Sequence, residues 1–425
     1  MSASHAILQW RLGSRRISGG RPTGLASVLA GLDSQLRRNF TLDLASAACY
    51  GVFTSLVINF LPVIARRLGA DSTLLALLVA APFASNIVVL FAGFLIPSQG
   101  RTRVVAITLT VSRGLFLLCF LITNPAVLVA VSLLFQQIHQ IPMMVMPSLF
   151  RQMYPTEMRG RLMGYVRTAM ATSSTLAALA GGWLLDTIGY RLLLPLGALF
   201  GIVTGICWFF IRIQCPTNEV RFTGLSALRA LANDRILPTY TAGWFIWGFG
   251  AFMVLPLYPI YLVDRLRASY GEVGILTFIS SVCWMASFLA WGRFVDRQGG
   301  VKSLALTFAM GAITPAIYAL EPGLLPVALA FAISGVVNAG TELGWITSMI
   351  ELSPPERVSQ SVAAVNGITG LRGLIVPFVG SFLSQVPWLG LTGTFVVASV
   401  IAALGAAVML WSLRLTAARG QFSAA

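Results

Sequence analysis

Apolar runs of eighteen or more residues recur along this 425-residue chain. Each is long enough to cross a bilayer core of roughly 30 Å. In lipid every backbone N–H and C=O must be satisfied within the protein, so only helices and closed barrels can span. Barrel strands alternate polar and apolar residues in segments of about ten. These runs are continuous, which makes helices the expectation. Composition agrees, with 57% hydrophobic and 10% charged residues against roughly 25% charged in a soluble domain. Twelve runs can be drawn, the first at 41–65 and the last at 391–413. The expected organisation is a basic arm at 1–40, a six-helix bundle at 41–212, a linker at 213–238, a second bundle at 239–413 and a tail at 414–425.

The net charge of +15 would suit a nucleic-acid partner, but its distribution has another cause. With the N-terminus inside, 21 basic residues fall in inner segments and five in outer ones. Arg113, Arg167 and Arg372 lie within runs. The positive-inside rule then predicts a membrane protein with both ends cytoplasmic, and no nucleic-acid role is expected. In the arm, Leu25, Val28, Leu29, Leu32 and Leu36 share one helical face, a pattern for a helix lying on the membrane surface. Residues 1–38 lack the apolar centre of a cleavable signal; an organellar transit peptide is also Arg-rich. The five cysteines show no pairing or metal spacing and read as small packers. No Walker motif or His-Glu-x-x-His set is found, so ATP drive, metal chemistry and bound cofactors are not expected.

The chain repeats itself. TGLASVLAGLDSQLRRNF starts at Thr23 and TGLSALRALANDRILPTY at Thr223. GFLIPSQG at 93–100 has its counterpart in GRFVDRQG at 292–299. Arg159 and Gly182 match Arg357 and Gly380. The offsets agree to within two residues, so six helices occur twice. Six is even, and both copies enter the membrane with one orientation, about a two-fold axis along the membrane normal.

Gly292, Asp296, Arg297 and Gly299 fit the G-x-x-x-D-R-x-G signature of the major facilitator superfamily, which the 6+6 layout also resembles. The first copy keeps Gly93 and Gly100 but has Pro97 at the acid position. The stretch YPTEMRGRLMG at 154–164 is similar to the family's junction between helices four and five. The loops then read as a cytoplasmic latch. Gly292 would allow a close helix approach, Asp296 would meet a helix N-terminus or an arginine, and Gly299 would allow the turn. A solvated turn is the plainer alternative.

The resemblance implies a secondary transporter that moves a small solute by alternating access. Protons are the expected coupling ion, the bilayer the only obligatory partner, and a monomer suffices. A non-transporting membrane scaffold of the same fold is the rival, suggested by Pro97. The resemblance also implies that helices one, four, seven and ten line a central cavity. Asp43 shares a stripe with Ser46, Tyr50 and Thr54, one turn into the first run. It reads as an acid held by the helix N-terminus or as a proton carrier. Gln136, His139, Gln140 and Met143 share a face of the fourth run, and Asn338, Glu342 and Trp345 a face of the tenth. They line the cavity or bond between helices. Trp244, Trp247 and Tyr258 make an aromatic stripe on the seventh run; tyrosines near its end also suit interfacial anchoring. Arg113 lies at the depth of the fourth run's glutamines and is expected to bond them and nearby carbonyls. Arg372 is a candidate partner of Glu342, or with Arg113 a site for an anion. Asp296→Asn is expected to shift the balance of conformers and lower transport; unchanged spin-label distance distributions in the variant would count against the latch.

Overall fold

The computed structural model describes residues 32–92, 100–156, 158–213, 236–321, 323–353 and 358–423. Among them every regular element is helical. In chain order the long helices are α1 Ser34–Arg67, α2 Ser72–Ala92, α3 Arg101–Phe120, α4 Pro125–Met153, α5 Arg159–Ile188, α6 Tyr190–Phe210, α7 Leu237–Arg265, α8 Tyr270–Gln298, α9 Gly300–Ala319, α10 Leu324–Leu352, α11 Val358–Gln385 and α12 Gly390–Ser423. Ten of them are long and apolar enough to cross a membrane by the described residues alone. The other two, α2 and α5, take the second and fifth places of the repeat.

Local chemistry sets the ends. Asp33 caps α1 by accepting from the Gln35 N–H at 3.2 Å. Asn124 accepts from Ala126 N–H at 2.8 Å, with Pro125 in the first turn of α4. Ser269 and Glu272 form a reciprocal capping box at the start of α8. Gly100 and Gly299, counterparts in the repeat, have φ of +73° and +83°. The turn expected at Gly299 is therefore present in both copies. α1 starts seven residues before the drawn run, and α12 runs ten residues past it to Ser423. The surface helix predicted in the arm lies mostly outside the described residues, as does most of the linker.

Packing follows the repeat. α1 packs on α5 and α6 as α7 does on α11 and α12; α2 and α3 meet α4 as α8 and α9 meet α10. Between the halves, α2 packs on α11 and α5 on α8. An offset of 198 residues exchanges these two contacts, as a two-fold axis requires. Arg66 and Asp264 are themselves counterparts at that offset, and they form a salt bridge with each other.

That salt bridge marks the far end of the bundle, opposite the chain termini. Arg67 lies 3.6 Å over the Tyr270 ring and donates to the Ala268 carbonyl. Asp186, at the end of α5, accepts from the first N–H groups of α8, Tyr270 at 3.1 Å and Gly271 at 2.6 Å; an acid is favoured at a helix start. At the related contact Ser381 Oγ donates to Ser72 Oγ at 2.7 Å and Gln385 Nε2 to the same atom at 2.9 Å. Every hydrogen bond and ion pair described here between the halves lies at this end.

Apolar packing shows the same division. One buried cluster joins both halves, with Phe53, Phe60 and Ile64 of α1 alongside Leu257 and Tyr261 of α7 and Phe395 of α12. Towards the chain termini the core splits in two. Phe40, Leu149, Tyr154 and Trp208 pack in the first half, and Tyr240, Leu304, Phe308 and Met409 in the second. In lipid the hydrophobic effect does not drive helices together, so close packing must do so. Gly182 and Gly274 supply it at the α5–α8 contact. A methyl on Gly274 would come within 2.9 Å of the Gly182 Cα. Gly274→Val is expected to wedge α5 from α8 by roughly 2–3 Å, given interaxial distances that vary with the side chains between them. Spin labels on Thr187 and Arg267 would read the separation, and an unchanged distance would count against this contact as the closure.

Candidate functional site

Where the two halves part, α7, α10 and α11 line an open cavity of about 440 Å³. Trp244 and Phe252 come from α7, Glu342 and Trp345 from α10, and Asn366, Thr369 and Arg372 from α11. The spacing of three on α11 and of three or four on α10 is that of one helical face. Phe83 of α2 covers the cavity from the other half, its ring against Gly373, where a methyl would overlap it.

Arg372 is 4% exposed. Its Nη1 donates to the carbonyls of Trp244 and Phe245, and its guanidinium lies 4.7 Å from the Phe252 ring centre. Gly248 makes the room, since a methyl there would overlap the guanidinium. Nε is buried with no hydrogen-bond partner. The suggested pairing of Arg372 with Glu342 is not made: the two line one cavity, and Glu342 is exposed to it.

Of the aromatic stripe on α7, only Trp244 reaches this cavity, with its ring 6.3 Å from Trp345. Trp247 stacks flat on Phe308 at 4.2 Å and belongs to the packing between α7 and α9. Tyr258 lies beyond the break in α7 at Val254–Pro256, packed on Tyr318 and Phe395 and outside the lining of this cavity. Asn338 is exposed one turn from Glu342, outside the lining of this cavity.

In the first half Tyr50, Arg113 and His139 come together. Arg113 is 2% exposed, 4.9 Å from the Tyr50 ring centre and 5.5 Å from that of Phe53. Its Nη1 donates to the Gly201 carbonyl at 3.2 Å. The carbonyl half of the expectation holds, but π faces stand where glutamines were expected. His139 stacks between Phe135 and Tyr50 with Nδ1 buried and unpartnered. Gln136 is half-buried, and Gln140 donates to the Pro82 carbonyl at 3.4 Å.

Asp43 sits nine residues beyond Ser34, so the helix N-terminus is too distant to hold it. It is buried, and its Oδ2 accepts from Tyr154 Oη at 2.5 Å. Tyr154 opens the Y-P-T-E-M-R-G stretch, and its carbonyl accepts from Arg159 Nη2 at 3.1 Å. Sequence reasoning passed over Tyr154; its place at the start of the junction motif was the available signal.

Gly93 lies outside the described residues. A methyl on Gly292 would meet nothing within 4 Å, so this glycine permits no close approach here. Asp296 and Arg297 are exposed. The acid that meets a helix start is Glu351, at the end of α10, whose two oxygens accept from Gly300 N–H at 2.8 and 3.0 Å. It too was missed, since nothing in the sequence says which helix start α10 will end beside.

The family model of the Major Facilitator Superfamily matches residues 44–327 and 243–424. The chain is a member of the major facilitator superfamily. It is a transporter-family protein of the membrane, and not an enzyme. Among curated proteins it is similar to the uncharacterized transporter slc-17.2 of Caenorhabditis elegans, 24% identical over 48% of this chain and 47% of that one. The match thus spans about half the length of that relative. Among solved structures, a point mutant of the nucleoside transporter NupG aligns with a TM-score of 0.71 at 13% identity, covering 88% of this chain and 99% of that one. A bacterial homologue of the iron transporter ferroportin in an inward-facing state aligns at 0.68 and 16%, covering 92% and 100%. A D-xylose-proton symporter aligns at 0.63 and 14%, covering 88% and 97%. At such identities the likeness is one of fold.

Replacing Tyr154 by Phe leaves the Asp43 carboxyl buried without its donor. The expected cost is about 1–3 kcal/mol, measured as lowered stability to denaturant. A double-mutant cycle with Asp43→Asn should return a coupling well above zero, and independent effects would show that the pair is not an energetic unit.

Proposed function

We propose that this protein is a secondary active transporter that carries a small solute by alternating access, with protons as the coupling ion. One observation carries the reading. Among the described residues the hydrogen bonds between the halves lie at the far end, where one apolar cluster also joins them, and towards the termini the core splits around a charged, aromatic cavity that Phe83 covers from α2. A chamber closed on one side and parted on the other is one of the two states that such a mechanism needs. The positive-inside count puts the parted side in the cytoplasm, so this is the inward-open state of a bacterial inner-membrane protein. The alignment with a ferroportin homologue in an inward-facing state supports the same reading.

Switching requires the far end to part, where a buried apolar cluster joins the halves beside a small set of polar contacts. Arg66–Asp264 is partly exposed, so each group can regain water as it parts, which keeps the cost near that of a surface pair. Glycine contacts between α5 and α8 can reform without side-chain repacking. Phe83, seated on Gly373, ties the cavity to the relative position of α2 and α11 and so to the state of the halves.

For the proton we assign Asp43. Among the described residues it is the buried carboxyl of the first half, and its one described partner, the Tyr154 hydroxyl, can donate to the carboxylate or accept from the acid. The same pair can therefore persist in both protonation states. In proteoliposomes a proton gradient should drive accumulation of substrate by the native protein. Asp43→Asn should lose that accumulation while keeping exchange of labelled for unlabelled substrate. Accumulation undiminished in the variant would remove Asp43 as carrier, and no flux under any gradient across a broad solute panel would favour the scaffold.

A further inference from the structure

We infer that the cavity between α7, α10 and α11 selects a small zwitterion with an apolar, flat body: a carboxylate for Arg372, an ammonium for Glu342 and an aromatic or comparable group between them. This rests on the transporter reading and specifies its substrate class.

The charges come first. Arg372 is a buried cation whose two described hydrogen bonds go to neutral carbonyls, and whose Nε has no acceptor. A buried charge is costly unless it is paired and hydrogen-bonded. The protein has not spent the guanidinium on a carboxylate of its own, although Glu342 borders the same space. Two opposite charges thus face one chamber without joining.

Arg113, the other intramembrane arginine deep in a half, is closed off between the Gly201 carbonyl and two rings. Its Nε is likewise buried without a hydrogen-bond partner, and Arg372 differs from it by lining a cavity. Gly248 reinforces the point: a residue in a packed helix gives up its side chain to seat that guanidinium.

An occupant bearing one charge would leave the other protein charge sealed in with no partner when the halves close. An occupant bearing both satisfies each. The lining holds two aromatic pairs, Trp244 with Trp345 and Phe252 with Phe83, which suit a flat body. The volume of about 440 Å³ lies in the lower part of the range for small-molecule sites, roughly 300–1,000 Å³.

The test uses four probes that share an indole: tryptophan (both charges), indole-3-propionate (anion), tryptamine (cation) and indole-3-propanol (neutral). Each is titrated calorimetrically into the purified full-length protein. Tryptophan should bind roughly tenfold or more tighter than either singly charged probe, a difference of about 1.4 kcal/mol. Glu342→Gln, an exposed position that leaves packing intact, should bring tryptophan down to the level of indole-3-propionate. Gly248→Ala, which displaces Arg372 without changing charge, should weaken both carboxylate-bearing probes and leave tryptamine unchanged. Tighter binding of either single-charge probe by the native protein overturns the proposal, as does saturable binding of none of the four. A Glu342→Gln variant that keeps the native preference overturns it even if Gly248→Ala fails to fold. Transport is judged apart: the predicted binding order with no flux in liposomes leaves the ligand class standing and removes the transporter, whereas gradient-driven flux of a solute lacking the paired charges does the reverse.

Discussion

A charge inside a bilayer has no water to turn to, and the protein must supply whatever it needs. That constraint shapes each intramembrane polar group of this chain. Arg113 finds a carbonyl that Gly201 leaves accessible and two aromatic faces. Asp43 finds a tyrosine hydroxyl from another helix. Arg372 finds two carbonyls and a space made by a glycine, at the edge of a cavity. Each solution joins helices far apart in the chain, so the polar groups both hold the bundle together and fix where it can be wet.

In the proposed alternating-access cycle the repeat is what would let the halves part. Counterpart contacts, α2 on α11 and α5 on α8, flank a two-fold axis on which Arg66 and Asp264 meet as counterparts of each other. A symmetric seam of this kind can hinge without unfolding either half, because each half keeps its own core near the termini. The halves have nonetheless diverged in what they offer the cavity. At an offset of 198 residues Tyr50 corresponds to Gly248 and Arg113 to Gly311. The first half closes its arginine into packing; the second moves the cation to α11 and leaves it facing open space. At the far end the divergence runs the other way: an aspartate holds the start of α8, while serine and glutamine meet the start of α2.

Much of the site was legible residue by residue and illegible as an arrangement. Helical spacing put Glu342 and Trp345 on one face, and the cost of buried charge singled out Arg372. The same spacing also nominated Trp247, which stacks on Phe308 instead, because a face of a helix spans both a cavity and a neighbour. Asp43 was placed near a helix start, and the unseen extension of α1 to Ser34 moved that start two turns away. Glu351 and Tyr154 carried no periodic signal, and their roles come from where another helix happens to begin or end beside them.

By itself the sequence determined what depends on local length and pattern: helices long enough to cross, a sixfold unit used twice, the direction of insertion that arginine placement predicts, and turns at Gly100 and Gly299 that need positive φ. Only the tertiary structure decided which end of the bundle is shut, which buried charge is spent on structure, and which one still faces a cavity. The physical reason is that those outcomes depend on pairs such as Arg66 with Asp264 or Arg372 with Gly248, over a hundred residues apart. No periodicity along a chain records which distant surface a side chain will meet.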